Sequence, residues 1–394
     1  MRFRQASPIP IDYLAPCFAA LISIIVNYGG TFTLVFQAAH VAHLTSNQIA
    51  SWVWSIAIGV GITGAWLSYK YREPIITAWS TPGVAFLISV LPFTSYNEII
   101  GAYILSAIGF LILGVTGSFE KIVSYIPSGI ASGLLAGILL RFGVNAFGGV
   151  NLDPTLVVEL ILIYAFLKRY SQRFALPTTL IIGIIICAVD GRFDISNLTL
   201  SFAKPIFVTP EFSTNSFLNV ALPLFLITLT GQYMPGMLVL RNDHYKTSAN
   251  PILTITGIGS LLMAPFGSHP FNIAAITAAI CTGKDAHPDP SRRYIAGIAC
   301  GGFHIVIGIF GVTLATLFTI LPATLITTIA GLALIGAIGS SLSSAISDVQ
   351  SRETSLITFL ATAANITLLG ISGAFWGLII GLTMHMIIHS YRTK

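Results

Sequence analysis

Long apolar runs fill this chain, and each ends at a short polar or Gly/Pro-rich break. A helix needs roughly 20 residues to cross a bilayer. The runs predict spans near 13–40, 48–68, 74–92, 98–117, 119–142, 155–168 and 174–190. A second set follows near 212–240, 248–265, 269–283, 292–318, 321–345, 354–370 and 373–390. The expected fold is an all-α polytopic membrane protein of about 14 transmembrane segments. The third and tenth runs are interrupted at Ser80-Thr81-Pro82-Gly83 and Ser268-His269-Pro270-Phe271. Proline removes a backbone donor, and unwound backbone at membrane depth is tolerated only where it is buried in protein or lines a cavity. A matched pair of broken segments in two halves of a hydrophobic chain points to the substrate site of a secondary transporter.

The halves echo one another. Gly114-Val115-Thr116, Ile126-Pro127 and Ala136-Gly137 return as Gly311-Val312-Thr313, Leu321-Pro322 and Ala330-Gly331, at offsets of 197, 195 and 194, and the two breaks match at 188. Seven spans is an odd number, so the second copy enters from the opposite side, a 7+7 inverted repeat. The predicted organisation is a first repeat over 1–190, an external linker over 191–211 with short extended structure around 202–208, and a second repeat over 212–394.

Composition excludes a soluble protein. Charged residues are 8% of 394 and hydrophobic ones 55%, where a soluble domain carries about 25% charge. The net charge of +5 is spread over short connections, which argues for membrane orientation and against a nucleic-acid partner. With a cytoplasmic N-terminus, sixteen of the nineteen Lys and Arg residues fall inside, and only Arg141, Arg192 and Lys204 fall outside. That bias puts both termini in the cytoplasm. Arg2 and Arg4 precede an apolar run with no small-residue cleavage site, so the run reads as the first span. Cys17, Cys187, Cys281 and Cys300 lack metal-like spacing and read as inert thiols, so no metal or cofactor is expected.

At the first break, Ser80 or Thr81 is placed to cap a helix starting at Pro82, with 74–78 extended before it. The same logic starts a half-helix at Pro270, capped by Ser268 or His269, with 273–280 as its body. Inverted symmetry would aim the two N-termini at one cavity suited to an anion or a carbonyl-rich ring. The competing reading is that both prolines merely kink continuous helices. The carboxylates lie in loops or at span ends, with Glu159 the main exception, and no HExxH or compact Ser/His/Asp set is present. An enzyme is therefore not expected. Uncharged polar residues at depth are Asn27, Gln37, Gln232, Asn272 and Asn365, with His40 and His304. Such residues commonly bridge helices. Gln232 is favoured as a ligand because Tyr233-Met234-Pro235-Gly236 loosens its span, and Gln37 occupies a comparable place in the first. Phe271, Trp79, Tyr233 and Phe86 are candidates to wall an apolar pocket. The predicted substrate site is Gln37, Trp79, Ser80, Thr81, Pro82, Gly83, Gln232, Tyr233, Ser268, Phe271 and Asn272. The candidates for proton coupling are His40, Glu159, His269 and His304.

Several stretches resemble the bacterial benzoate transporter family of BenE type. They are Phe36-Gln37-Ala38-Ala39, Thr77-Ala78-Trp79-Ser80-Thr81-Pro82-Gly83, Ala274-Ala275-Ile276-Thr277-Ala278-Ala279-Ile280-Cys281, Ala286-His287-Pro288-Asp289 and Ala374-Phe375-Trp376-Gly377-Leu378. The resemblance runs from the first span to the last. It implies benzoate–proton symport in the bacterial inner membrane, with an aromatic carboxylate, protons and lipid as partners. It also implies the inverted repeat shared with nucleobase and anion carriers, in which spans 3 and 10 meet between a core and a gate domain, and those relatives are commonly homodimers. One departure stands out. Nucleobase–proton symporters of that fold carry glutamates near the positions of Gln232 and Phe271–Asn272, and this chain has none. An anionic substrate would be repelled by a glutamate, whereas a glutamine can donate to it. The alternatives are a carrier of another small anion or a nucleobase-like ring, and a channel.

Overall fold

Uninterrupted apolar stretches become long helices in the computed structural model, which describes residues 11–121, 127–170, 175–193, 200–274, 277–284, 286–364 and 373–390. Asn365, Ile126, Ala275, Ile276, Arg173 and the terminal Arg2, Arg4, Arg392 and Lys394, all used in the expectations above, lie outside these residues. Among the described residues, six helices are long and apolar enough to cross a membrane: Ser46–Tyr71, Tyr96–Thr116, Ser128–Asn151, Thr214–Arg241, Ala249–Phe266 and Ala323–Ser347. Shorter helices cover Pro154–Tyr170, Ala175–Val189, Arg352–Ala363 and Gly373–Ser390. The first predicted span runs as Ile11–Val26, a wide π turn at Asn27–Thr31, then Thr33–Val41. The 212–240 run carries two such turns, Phe217–Ala221 and Leu229–Tyr233. Each is followed by a proline, Pro223 and Pro235, whose missing N–H a locally widened helix accommodates.

Two expectations are corrected. The 292–318 run is two helices, Tyr294–Ile309 and Gly311–Ile320, which part at Phe310. The linker stretch expected to be extended, 202–208, pairs with no other strand among the described residues. The linker's backbone N–H groups are spent on helix ends instead. Ala203 donates to the Ile309 carbonyl at 2.9 Å, Val208 to Pro265 at 2.8 Å and Glu211 to Asn97 at 3.0 Å, while Ile206 donates to Ser51 Oγ at 2.8 Å.

The third predicted span is strand then helix. Pro74 and the β-branched Ile75, Ile76 and Thr77 lead into strand β1, Thr77–Trp79, and the helix Thr81–Val90 follows. Strand β2, Phe271–Ile273, pairs with β1 antiparallel, with Thr77 opposite Ile273, Ala78 opposite Asn272 and Trp79 opposite Phe271. Ala274 N–H to the Ile76 carbonyl, 2.8 Å, extends the ladder. The mid-strand pair differs by 272 − 78 = 194 positions. That agrees with the other internal matches, and the offset of 188 between the two Ser-x-Pro sites does not. The second half-helix consequently does not begin at Pro270 but at Ala278, and it runs only to Thr282. Ser268 and His269 are not its caps. They precede β2, after a turn at Gly267 whose φ of +103° suits a residue without a Cβ.

The helices assemble into two groups through small residues. Ser46–Tyr71 lies along Tyr294–Ile309, and Tyr96–Thr116 along Ala249–Met263. Ser128–Gly148 packs on Ala323–Ser347 and on Arg352–Ala363, which in turn packs on Gly373–Ser390. Thr81–Val90 touches Ser128–Gly148 and so joins the two groups. Lipid offers no hydrophobic drive between helices, so close backbone approach has to supply the attraction. One close backbone approach is Gly61 on Gly301, where a Cβ on Gly301 would stand 2.5 Å from the Gly61 carbonyl oxygen. Gly301→Val should therefore overpack that seam at a cost of about 1–3 kcal/mol. We expect less monodisperse protein and a lower thermal midpoint, while Gly302→Val, facing open space, should leave both unchanged.

Candidate functional site

The first break is built as a capped helix N-terminus. Ser80 is the cap residue with extended backbone, and its Oγ accepts from Gly83 N–H at 3.1 Å. Thr228 Oγ1, from the Leu222–Thr228 helix, donates to the same Ser80 Oγ at 2.8 Å. In the amide orientation that satisfies both of its atoms, Asn272 donates to the Ile273 carbonyl at 2.8 Å and accepts from Ser80 N–H at 3.2 Å. Asn272 thus ties the second break to the cap of the first. These bonds consume most of the donors that a helix start leaves open. Pro82 has no N–H, Gly83 N–H is held by the cap, and Ser80 N–H is held by Asn272. Thr81 keeps its N–H and hydroxyl without a partner among the described residues, and it is half-buried rather than sealed. The positive end of the helix dipole and the two Thr81 donors form one small electropositive patch. Among the described residues the second half-helix is the five-residue Ala278–Thr282, and strand Phe271–Ile273 stands where a helix starting at Pro270 was expected.

Around that patch, Gly231 and Gln232 come from the π turn Leu229–Tyr233. A Cβ on Gly231 would lie 3.1 Å from Pro82 Cγ and 3.4 Å from Leu135 Cδ2. Gly231 therefore sits where the half-helix, the π turn and the Ser128–Gly148 helix converge. Gln232 beside it is half-buried, and its amide has no partner among the described residues. A Cβ on Gly83 would meet Leu224 Cδ1 at 2.9 Å, so the same spot is closed to larger side chains.

Three predicted wall residues turn away into the protein core. Tyr233 is fully buried, and its OH shares a hydrogen with Thr256 Oγ1 at 2.6 Å and donates to the Phe271 carbonyl at 3.3 Å. Phe271 fills the space left by Gly59 and Gly259, and its N–H is held by Ser260 Oγ at 3.0 Å. Both residues fix β2. Trp79 is buried against Phe32 and Tyr28, at ring distances of 4.7 and 5.2 Å, and its Nε1 has no partner among the described residues. Ser268 is buried and donates to the adjacent His269 carbonyl. Phe86 is also buried in the core.

The proton candidates scatter. His304 is buried with Nδ1 2.9 Å from Tyr28 OH. His269 is buried with Nδ1 accepting from Trp52 Nε1 at 3.2 Å, and its Nε2 has no partner among the described residues. Glu159 is exposed on Pro154–Tyr170, away from the breaks. His40 and Gln37 line a different space, a cavity of about 340 Å³ that holds none of the break residues.

Sequence reasoning missed Thr228, which looks like an ordinary core threonine, and Arg293, which had been counted as a loop charge. Arg293 is buried and donates to the carbonyls of Thr282 (2.8 Å), His287 (2.7 Å) and Pro288 (3.3 Å). It therefore places a cation on the C-terminal end of the short Ala278–Thr282 helix. In the same loop, bonds from the Ser291 hydroxyl and N–H hold the Asp289 carboxyl below its ordinary pKa.

Comparison with known proteins fits this architecture. A family model described as "Benzoate membrane transport protein" matches residues 13–387. The chain is 41% identical over 375 residues to the Benzoate membrane transport protein of Acinetobacter baylyi, covering 95% of each chain. It is 36% identical over 371 residues to the inner membrane protein YdcO of Escherichia coli (strain K12), covering 94% of this chain and 95% of that one. In fold it is similar to the transmembrane domain of a cyanobacterium bicarbonate transporter, BicA, with a TM-score of 0.62, 15% identity and 98% of both chains covered. The family match and the Acinetobacter relative are membrane transport proteins rather than enzymes. This multi-pass membrane chain belongs to the BenE family of benzoate membrane transport proteins.

Proposed function

We propose that the chain is a secondary carrier that imports benzoate or a related aromatic carboxylate together with a proton, by alternating access across the bacterial inner membrane. The observation that carries this reading is the capped helix start at Ser80–Gly83. Its open Thr81 donors and dipole lie next to the Pro82–Gly231 contact, one residue from Gln232 in the chain, in a region where 74–93, 222–242 and 268–284 contain no Asp or Glu. Such a site stabilises an anion and offers nothing to repel it. The printed names of the relatives support the substrate class and the inner-membrane location. The proton travels on the substrate's own carboxyl or on a histidine. The same reading takes 1–190 and 212–394 as inverted seven-span repeats, fourteen spans in all, with an external linker at 191–211 and cytoplasmic termini. Antiparallel pairing about Ala78 and Asn272 supports that symmetry. The group holding the strands is the core, the Ser128–Gly148 group is the gate, and Pro82, Gly231 and Leu135 lie on their seam. The decisive experiment is uptake of labelled benzoate into proteoliposomes under an inward proton gradient. Saturable uptake, competed by substituted benzoates and not by uracil, is expected. Flux that does not saturate, or that uracil blocks, would overturn the reading.

Replacing Pro82 by Ala restores an N–H and lets helix continue back through Ser80. Uptake should fall to near zero at normal membrane insertion, and uptake within twofold of the parent would mean the proline is only a kink.

Gln232 gives the sharper prediction. Removing a donor to a buried anion costs roughly 1.5–3 kcal/mol, or about tenfold to 150-fold in affinity, and Gln232→Ala should weaken benzoate binding by that factor. Gln232→Glu sets a second carboxylate beside the substrate, and like charges in a shared site raise one pKa. Binding by that variant should survive at pH 5 and collapse toward pH 8. Titration calorimetry at both ends of the range checks this, and a flat profile at wild-type affinity would remove Gln232 from the site.

A further inference from the structure

The 340 Å³ cavity is lined by Phe36, Gln37, His40, His43, Leu44, Ile49, Leu321, Ala323, Ile326 and Thr327, from the end of the first span, the start of the second and the start of the Ala323–Ser347 helix. It lies on the linker side of the protein, where Ser51 hydrogen-bonds Ile206. Its volume falls in the range of small-molecule sites. Phe36, Leu44, Ile49, Leu321 and Ile326 provide apolar walls for a ring, and Gln37, His40, His43 and Thr327 provide a polar edge. Phe36 stacks edge-on against Phe32, which itself packs on Trp79, so the cavity is one aromatic layer from the first break.

Its charge pattern is unusual for an anion site. Residues 31–52 and 310–340, which supply all the walls, contain no Asp, Glu, Lys or Arg. His40 and His43, both exposed at the mouth, are the titratable groups that face it from any of these elements. No permanent cation is present to hold a carboxylate. Gln37 Oε1, by contrast, is buried and has no hydrogen-bond partner among the described residues. A carboxylate cannot satisfy that oxygen, because it has no hydrogen to give. A protonated carboxylic acid can. Its O–H donates to Gln37 Oε1 while its carbonyl oxygen accepts from the Gln37 amide N–H, a matched pair of bonds with no net charge to bury.

We propose that this cavity is an access subsite, separate from the break, that takes the aromatic acid in its protonated form, with Gln37 pairing the carboxyl and His40 and His43 supplying the proton at the mouth. In that step an imidazolium N–H bond breaks, an O–H bond forms on the carboxylate, and the neutral imidazole is reprotonated by solvent. Because the subsite takes the protonated acid, occupancy rises as the pH on that face falls. The proposal rests on the aromatic-acid reading above and adds a second place where the acid binds.

The test uses the full-length protein in proteoliposomes with its four native cysteines replaced. A thiol introduced by Thr327→Cys is labelled with a membrane-impermeant maleimide in the presence of benzoate. Benzoate should slow labelling at least fivefold, at a lower concentration at pH 5.5 than at pH 7.5. Protection should persist when Pro82→Ala has disabled the break, and should vanish with Gln37→Leu. Labelling that benzoate leaves unchanged, or protection that Pro82→Ala abolishes, would overturn the separate subsite. Kinetics give a second readout without the thiol. His40→Gln combined with His43→Gln should raise KM for benzoate about tenfold at pH 5.5 with Vmax within twofold, and an unchanged KM would also sink it. If the parent protein transports no benzoate at all, the fault lies with the transport reading. If it transports benzoate but the thiol is unprotected, the fault lies with the subsite.

Discussion

A backbone that stops being helical inside a membrane has to find partners for every N–H and C=O within the protein. Both breaks of this chain meet that demand with one device, the short ladder between Thr77–Trp79 and Phe271–Ile273. What surrounds the ladder secures it. Thr77 Oγ1 donates to the Val60 carbonyl at 2.7 Å, Ser260 holds Phe271 N–H, and Tyr233 reaches the Phe271 carbonyl. Asn272 and Thr228 then fix Ser80 from two directions. The open donors of Thr81 are what remains at the helix start once Ser80 and Gly83 are bonded, with the Trp79 Nε1–H behind them also unpartnered among the described residues. The patch is thus defined by subtraction: Thr81 keeps the donors that the surrounding polar cluster does not use.

Local chemistry was the legible part of the sequence. A serine before Thr-Pro-Gly, after a β-branched run, describes a capped helix start without reference to anything distant, and Ser80 behaves that way. The second break was misread because the same tripeptide pattern, Ser268-His269-Pro270, stands ahead of its strand. The true correspondence is set by strand register, a contact between residues far apart in the chain. Aromatic direction was equally invisible. Tyr233, Phe271 and Trp79 are near the break in sequence, but Gly59, Gly259, Thr256 and Phe32 give their side chains better places inside the core. Arg293 is the plainest omission, since a loop arginine next to Arg292 looks like a solvent-facing charge until its three carbonyl acceptors are seen.

The seam itself is made of contacts that resist little. Gly231 presents only backbone to Pro82 and Leu135, and neither neighbour offers a hydrogen bond that would have to break if the groups slid. The polar bonds that hold the first break lie within the strand-bearing group, and where Gly231 meets Leu135 the contact is apolar. The alternating access proposed above would call for such a distribution of stiffness, a firmly bonded patch opposite a wall held by weaker contacts.

The ladder also imposes an order on synthesis. Its central partners are separated by 272 − 78 = 194 residues, and at about 5–20 residues per second β1 is made roughly 10–40 s before β2 exists. Throughout that interval the Pro74–Trp79 stretch has no partner strand and Ser80 lacks Asn272, while Thr228 arrives earlier, 148 residues after Ser80. The linker can dock on Ser51 and Asn97 of the first half, but its anchors at Pro265 and Ile309 also belong to the later half, and none of these bonds reaches the unpaired strand. The first half of this protein therefore emerges with an unpaid backbone debt in its third segment. Its assembly must either delay the final seating of that segment in lipid or lend it temporary partners until residue 273 has arrived.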